Sequence, residues 1–278
     1  MTESPDEYCA AEVRRQDPDR WLTALFAPDV RRPALLALYA FNAEIARARE
    51  AVSQPMIGQI RLQWWREAWE GITQDRPRQH PVVLALHSHC RQANPADVAA
   101  LIDARERDME PAPMADMAAL LDYAEKTSAP LMRLAAAALG VPVSDDLQAM
   151  IRPAATAYAL AGLLRATSFM ATQERVVLPA DLLAAQGMRP EDLYQQGSGT
   201  PVFSVIAAVA AEAESLLQEA GRQRISRAAI PAVLPARLGR VYLRALRRAG
   251  HDPDAPAAAV SATRKHAALL VASVTRRI

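Results

Sequence analysis

The sequence predicts an all-α fold carried by a single domain. Three observations lead there. Ala supplies 59 of the 278 residues. Only 4 Phe and 10 Gly are present. Apolar positions recur at spacings of three and four along most of the chain. Ala is the best helix former, whereas strands favour β-branched and aromatic residues. A three-to-four spacing is the signature of an amphipathic helix. With 51% apolar and 23% charged residues the chain has an ordinary globular balance and length enough for a sizeable core. The basic residues are 30 Arg and 2 Lys, and the net charge is +1, so no global field recruits nucleic acid. Two cysteines, Cys9 and Cys90, cannot frame a disulfide scaffold and fit a reducing, cytoplasmic compartment. The acidic start MTESPDEYCAAE does not read as a secretory signal. The apolar stretches Pro153 to Leu164 and Val202 to Ala211 are far shorter than the roughly 18–20 residues of a membrane span, so membrane contact is expected to be peripheral at most.

Helices follow one another along the chain. Arg32 to Val52 places Leu35, Leu38, Tyr39, Ile45 and Ala46 on one stripe. Gln59 to Ile72 repeats the pattern with Ile60, Trp64, Ala68 and Ile72. Val82 to Gln92 is a shorter candidate. Asn94-Pro95 opens the next helix, because Asn caps, Pro suits the first turn and Asp97 favours the positive end. Asp116 to Leu139 ends at Gly140 and Pro142, with Pro130 expected to kink or divide it. Asp145 to about Thr172 is apolar nearly all round and is expected to be buried. Val176 to Pro179 is the one extended candidate. Thr200-Pro201 starts a helix to about Arg222, and Ala228 to Ala249 and Ala255 to Arg277 complete a series of nine to eleven.

A search for acidic pairs four residues apart, which aim two carboxylates at one Mg²⁺ on a helix face, finds no convincing pair. His80, His87, His89 and Cys90 do not complete a tetrahedral metal set. Arg61, Arg66, Arg105 and Arg165 have two readings. They are anion ligands, or they are solvated and ion-paired helix residues. Arg165 follows a long apolar stretch and is expected to be partly buried. Trp64, Trp65 and Trp69 either line a cavity or pack a core. Arg264, Lys265 and His266 with Arg276 and Arg277 flank apolar residues of the last helix, which reads as solvated or as lying on a membrane surface.

Several strings occur in a telling order: Tyr39-Ala-Phe41-Asn42-Ala-Glu44, Ile60-Arg61-Leu-Gln-Trp64-Trp65-Arg66, His80-Pro81-Val82, Asp108, Tyr123, and Arg165 followed by Arg175-Val-Val-Leu178-Pro179-Ala-Asp181-Leu. Together they resemble the squalene/phytoene synthase family over about residues 8–248. The resemblance implies an isoprenoid-synthase-like helical bundle around a central cavity. It implies ligand-cavity candidates at Tyr39, Phe41, Asn42, Glu44, Arg61, Trp64, Trp65, Asp108, Tyr123 and Arg165. Enzymes of that family join two prenyl diphosphates on Mg²⁺ held by two Asp-rich motifs. At the first motif this sequence carries Ala46, Arg47 and Glu50. At the second it carries Arg165 but Ala166 and Met170 in place of Asp. Mg²⁺ prefers several oxygen ligands, so the resemblance implies no catalytic residues, no metal and no cofactor. The chain looks closer to a catalytically eroded branch, similar to the mitochondrial complex I assembly factor that carries such a domain. That branch implies an assembly factor or isoprenoid-binding scaffold in respiratory complex I biogenesis. It would have a protein partner or a lipid ligand, would not bind nucleic acid, and would be cytoplasmic or peripheral to the inner membrane. The alternative is an active prenyl-diphosphate transferase that binds Mg²⁺ through Glu44, Glu50 and Asp108.

Overall fold

The computed structural model describes residues 3–49, 55–196 and 200–278, and both Glu50 and Val52 lie outside them. Among the described residues there are fourteen α-helices, three short 3-10 turns and no strand. The all-α expectation therefore holds. The helices divide between two compact units. One comprises Met1–Glu110, Ala129–Gln148 and Ile225–Pro235, the other Pro111–Ser128, Ala149–Arg224 and Ala236–Ile278.

The first unit opens with α1 (Pro5–Gln16), α2 (Pro18–Ala24) and α3 (Arg32–Ala46), followed by α4 (Pro55–Thr73), α5 (Pro81–Cys90) and α6 (Pro95–Ala104). Each has a proline in its first turn, where the missing N–H would have no partner in any case. Ser4 and Glu7 form a capping box on α1, and Asn94 accepts from the Ala96 amide on α6. Neither α1 nor α2 is among the expected helices. The core is built on α3, whose Leu35, Leu38, Tyr39, Phe41 and Ile45 are all within 2% of full burial. It packs against α1, α2, α4 and α5. Cys9 on α1 and Cys90 on α5 are buried free thiols. Cys90 donates to the Ala34 carbonyl at 3.5 Å, and burial pushes both thiols up to about 12. On α4 the buried stripe is Leu62, Trp65, Ala68, Trp69 and Ile72, while Ile60 is 61% exposed. Ile60 therefore sits off the stripe that the spacing assigned to it.

Each unit takes part of α7 (Met117–Ala138), α8 (Asp145–Arg165) and α13 (Ile230–Arg248). Pro130 sits inside α7 without dividing it. The long helix expected to reach Thr172 instead ends at Arg165. Ala166, at φ −91 and ψ −1, is the N-cap of α9 (Thr167–Ala171), which follows. The Val176 to Pro179 string forms no strand and leads into α10 (Ala180–Ala185). The second unit continues with α11 (Asp192–Gln196), α12 (Thr200–Ala220) and α14 (Ala262–Thr275). By length and composition Pro201–Ala220 is apolar enough to cross a membrane, at a mean hydropathy of 1.3, contrary to the shorter stretch read from the sequence. Its buried residues Val202, Val205, Ile206, Val209, Ala213 and Leu217 follow helical spacing, and Ala208, Ala211 and Ser215 are exposed, as in an amphipathic core helix.

Candidate ligand pocket and motif positions

Trp64 and Trp65 are neighbours on α4, so their side chains leave the helix about 100° apart. Trp65 turns inward and meets Phe41 of α3 edge-to-face at 5.1 Å between centroids. Trp64 is half-buried. His80, held extended at the residue before α5, completes a corner of three rings. Trp64 and Trp65 are 5.0 Å apart at 89°, and His80 lies 5.4 Å from Trp64 and 5.7 Å from Trp65. These rings, with Glu44 and Arg61, line a pocket of about 200 Å³. That is below the roughly 300–1,000 Å³ of sites enclosing a drug-sized ligand, so the pocket accommodates a headgroup or one side chain rather than a long prenyl chain. Arg61 and Arg47 reach Glu44 at 3.6 and 3.7 Å. Arg78 sits over the Trp64 ring at 5.2 Å. Burial pulls the His80 imidazole below its ordinary value, and the nearby Glu44 carboxylate opposes that. The His80 Nδ1 and Asn42 Oδ1 atoms are buried without a hydrogen-bond partner among the described residues.

The remaining expected site residues lie elsewhere. Tyr39 is buried in α3, with Arg20 5.8 Å over its ring, and burial pushes its phenol up to about 12. Asp108 is buried in the 3-10 turn Arg105–Met109, 3.5 Å from Arg105. Tyr123 is half-buried on α7, in the second unit. Arg66 pairs with Asp103 and Glu106, both at 2.6 Å, which is the ion-paired reading. His87 and His89 pair with Asp75 and Asp6 at 2.7 and 2.9 Å.

The described motif positions are Ala46, Arg47, Ala166 and Met170. Ala46 is the last residue of α3. Arg47 follows it and donates to Glu12 Oε1 at 2.7 Å, while Glu12 also accepts from Arg15. The Glu12 side chain is only 5% exposed, so a guanidinium here neutralises a buried carboxylate. Sequence reading missed Glu12, because 35 residues separate it from its partner. In the second unit Ala166 and Met170 lie one helical turn apart, since the Met170 amide bonds the Ala166 carbonyl at 2.8 Å. The Met170 sulfur accepts from Arg175 at 3.7 Å. Arg165 is exposed rather than partly buried. It ends α8, and its guanidinium stacks 3.7 Å above the face of Tyr242, with Lys265 5.3 Å from the same ring. That contact satisfies a cation without burying it. An alanine pair, a guanidinium and a thioether do not fit Mg²⁺, which demands oxygen ligands. Among the described residues no group of three or more His, Cys, Asp or Glu is placed to hold a metal.

Comparison with known proteins agrees with this architecture. The family profile described as squalene/phytoene synthase matches residues 13–264. The Bos taurus protein named NADH dehydrogenase (ubiquinone) complex I, assembly factor 6 is 29% identical over 253 residues, covering 89% of this chain and 75% of that protein. The Rattus norvegicus protein of the same name is 29% identical over 251 residues, with coverages of 88% and 74%. A solved dehydrosqualene synthase superposes with a TM-score of 0.81 at 16% identity, covering 97% of this chain and 95% of its own. Squalene synthase HpnC from Alicyclobacillus acidocaldarius gives 0.76 at 21% identity, covering 90% and 95%. The two structures share the fold, the profile spans most of the sequence, and the chain belongs to the squalene/phytoene synthase family.

Proposed function

We propose that this chain works without catalysing prenyl transfer, as an assembly factor in respiratory complex I biogenesis. The observation that carries the reading is Arg47, a motif position turned from metal binding to neutralising the buried Glu12. Ala46, Ala166 and Met170 carry no carboxylate, and Glu50 is the one acid kept at the motif positions. The names of the mammalian relatives support the biological setting. On this reading the chain acts in the cytoplasm or at the inner-membrane surface, needs no cofactor, and engages a protein partner or a small lipid-derived group at the aromatic corner of Trp64, Trp65 and His80.

The chemistry is tested with purified protein, Mg²⁺, and farnesyl or geranylgeranyl diphosphate. Diphosphate release at the level of a protein-free control is expected, and Mg²⁺-dependent release above it restores the transferase alternative. The biology is tested in cells lacking the chain. Assembled complex I in their membranes is expected to fall and to recover when the chain is supplied. Unchanged complex I sinks the assembly role.

A further inference from the structure

We infer that Arg237, Arg240 and Arg244, on one face of α13, form a binding site for a phosphoryl group. The spacing of three and four residues stacks the three guanidinium groups along roughly 10 Å of helix. Arg237 and Arg240 are half-buried, Arg244 is exposed, and the Nε of Arg237 and of Arg240 is buried with no hydrogen-bond partner among the described residues. Arg244 acts on the other two. Burial, then Arg244, pulls Arg237 below its ordinary value, and burial, Arg244 and Arg237 do the same to Arg240. Glu214, the carboxylate that Arg240 senses, makes its ion pair with Arg247 at 3.2 Å.

The sequence around the cluster is as one-sided as its surroundings. Between Gly221 and Gly250 there are eight Arg and no Asp, Glu or Lys, so the rest of the chain sums to −7. Structural roles account for some of these residues. Arg240 donates to the Leu217 carbonyl at 2.8 Å near the end of α12. Arg247 and Arg248 lie in the last turn of α13, where cations are favoured. Neither role extends to Arg237 and Arg244. A half-buried cation without a counterion is unfavourable, and two of them on the same helix face as the exposed Arg244 call for an anion of more than one charge. A phosphoryl group meets that need, because its several oxygens accept from more than one guanidinium fork at once. The same chemistry is offered by free phosphate or diphosphate and by the headgroup of an anionic phospholipid.

Two measurements separate those sources: calorimetry with inorganic phosphate and diphosphate, and flotation with phosphatidylcholine vesicles with or without phosphatidylglycerol. The parent protein is expected to bind one probe saturably. Binding only to anionic vesicles assigns a headgroup, and binding only in calorimetry assigns a soluble anion. In either case the variant Arg237→Gln/Arg244→Gln, which keeps Arg240 on its carbonyl, is expected to bind roughly tenfold more weakly. The control Arg152→Gln, which removes an exposed cation paired with Glu125, is expected to bind as the parent does. Circular dichroism checks folding. If the glutamine variant is unfolded, Arg237→Lys/Arg244→Lys carries the test, with an expected loss of roughly threefold because an ammonium lacks the fork. No binding of any probe by the parent overturns the site, and so does unchanged affinity in the folded variant.

Discussion

Arg47 shows how one substitution redirects a position. Its guanidinium holds the buried Glu12 together with Arg15. Removing one partner of a buried pair strands the other charge, which costs more than the pair itself contributes. Arg47 is 32% exposed and Arg15 remains, so Arg47→Ala is expected to lower stability by about 1–3 kcal/mol. Arg47→Asp, which restores the family's acid, is expected to be worse, because it sets a third carboxylate beside Glu12 and Glu44. Urea unfolding measures both, and an Arg47→Asp protein as stable as the parent removes the structural role assigned to the pair. His80 contributes through protons. Its pKa is lowered in the folded state by burial, so the unfolded chain binds a proton at higher pH than the folded one. Stability is then lost as pH falls through the ordinary imidazole value of about 6.5. His80→Gln is expected to flatten the fall in unfolding free energy between pH 7.5 and 5.5. His251 shifts in the same direction and keeps part of it. An identical pH slope in the variant contradicts the burial argument.

At the scale of elements, helix α4 closes on a Schellman-type turn. The Arg76 amide bonds the Gly71 carbonyl at 2.8 Å, the Asp75 amide bonds Ile72 at 3.2 Å, and Asp75 takes φ 61. The Arg76 carbonyl folds back so far that a Cβ on Gly71 would meet its oxygen at 2.7 Å. Gly71→Ala gains helix propensity but forces backbone to move, and a net loss of about 1–2 kcal/mol in a thermal melt is expected. A neutral result means that the turn gives way freely. Helix starts were readable from the sequence where they rest on local chemistry, as at Asn94-Pro95. The register of α4 was not. Adjacent Trp64 and Trp65 define two apolar stripes about 100° apart, and the contact of Trp65 with Phe41, on another helix, selects between them. The end of α8 was also hidden, because no Gly or Pro occurs between Arg165 and Thr172 to mark it.

At the scale of the whole molecule, the all-α class followed from composition, and family membership from strings such as Ile60 to Ala68 and Arg175 to Leu183. What no string reveals is which residues meet. Glu44, Arg61, Trp64 and Trp65 were named together as cavity candidates and do share a pocket. His80, read as a metal candidate and within the family string His80-Pro81-Val82 but not as a cavity residue, supplies its third ring through the pairing of α4 with α5. The eroded second motif offers a test of inherited geometry. Ala166→Asp/Met170→Asp places two carboxylates one turn apart, which repel and lose hydration. The melting temperature in chelator is expected to fall. Mg²⁺ is expected to restore part of it, because a ligand that binds only the folded state stabilises that state. A variant that gains nothing from Mg²⁺ relative to the parent shows that these two positions no longer converge on a metal.

The two buried thiols give the molecule a chemical clock. Alkylating reagents attack the thiolate, and a group with a pKa of about 12 is almost wholly protonated at neutral pH. Cys9 and Cys90 therefore label only when α1 lifts from α3 and α5, or when the unit unfolds around them. The lag before iodoacetamide modification then times that opening without any introduced probe. Because Asp6 of α1 holds His89 of α5 at 2.9 Å, Asp6→Ala is expected to shorten the Cys9 lag while barely moving the global melt. Equal lags in the two proteins would mean that the N-terminal helix leaves only when everything else does.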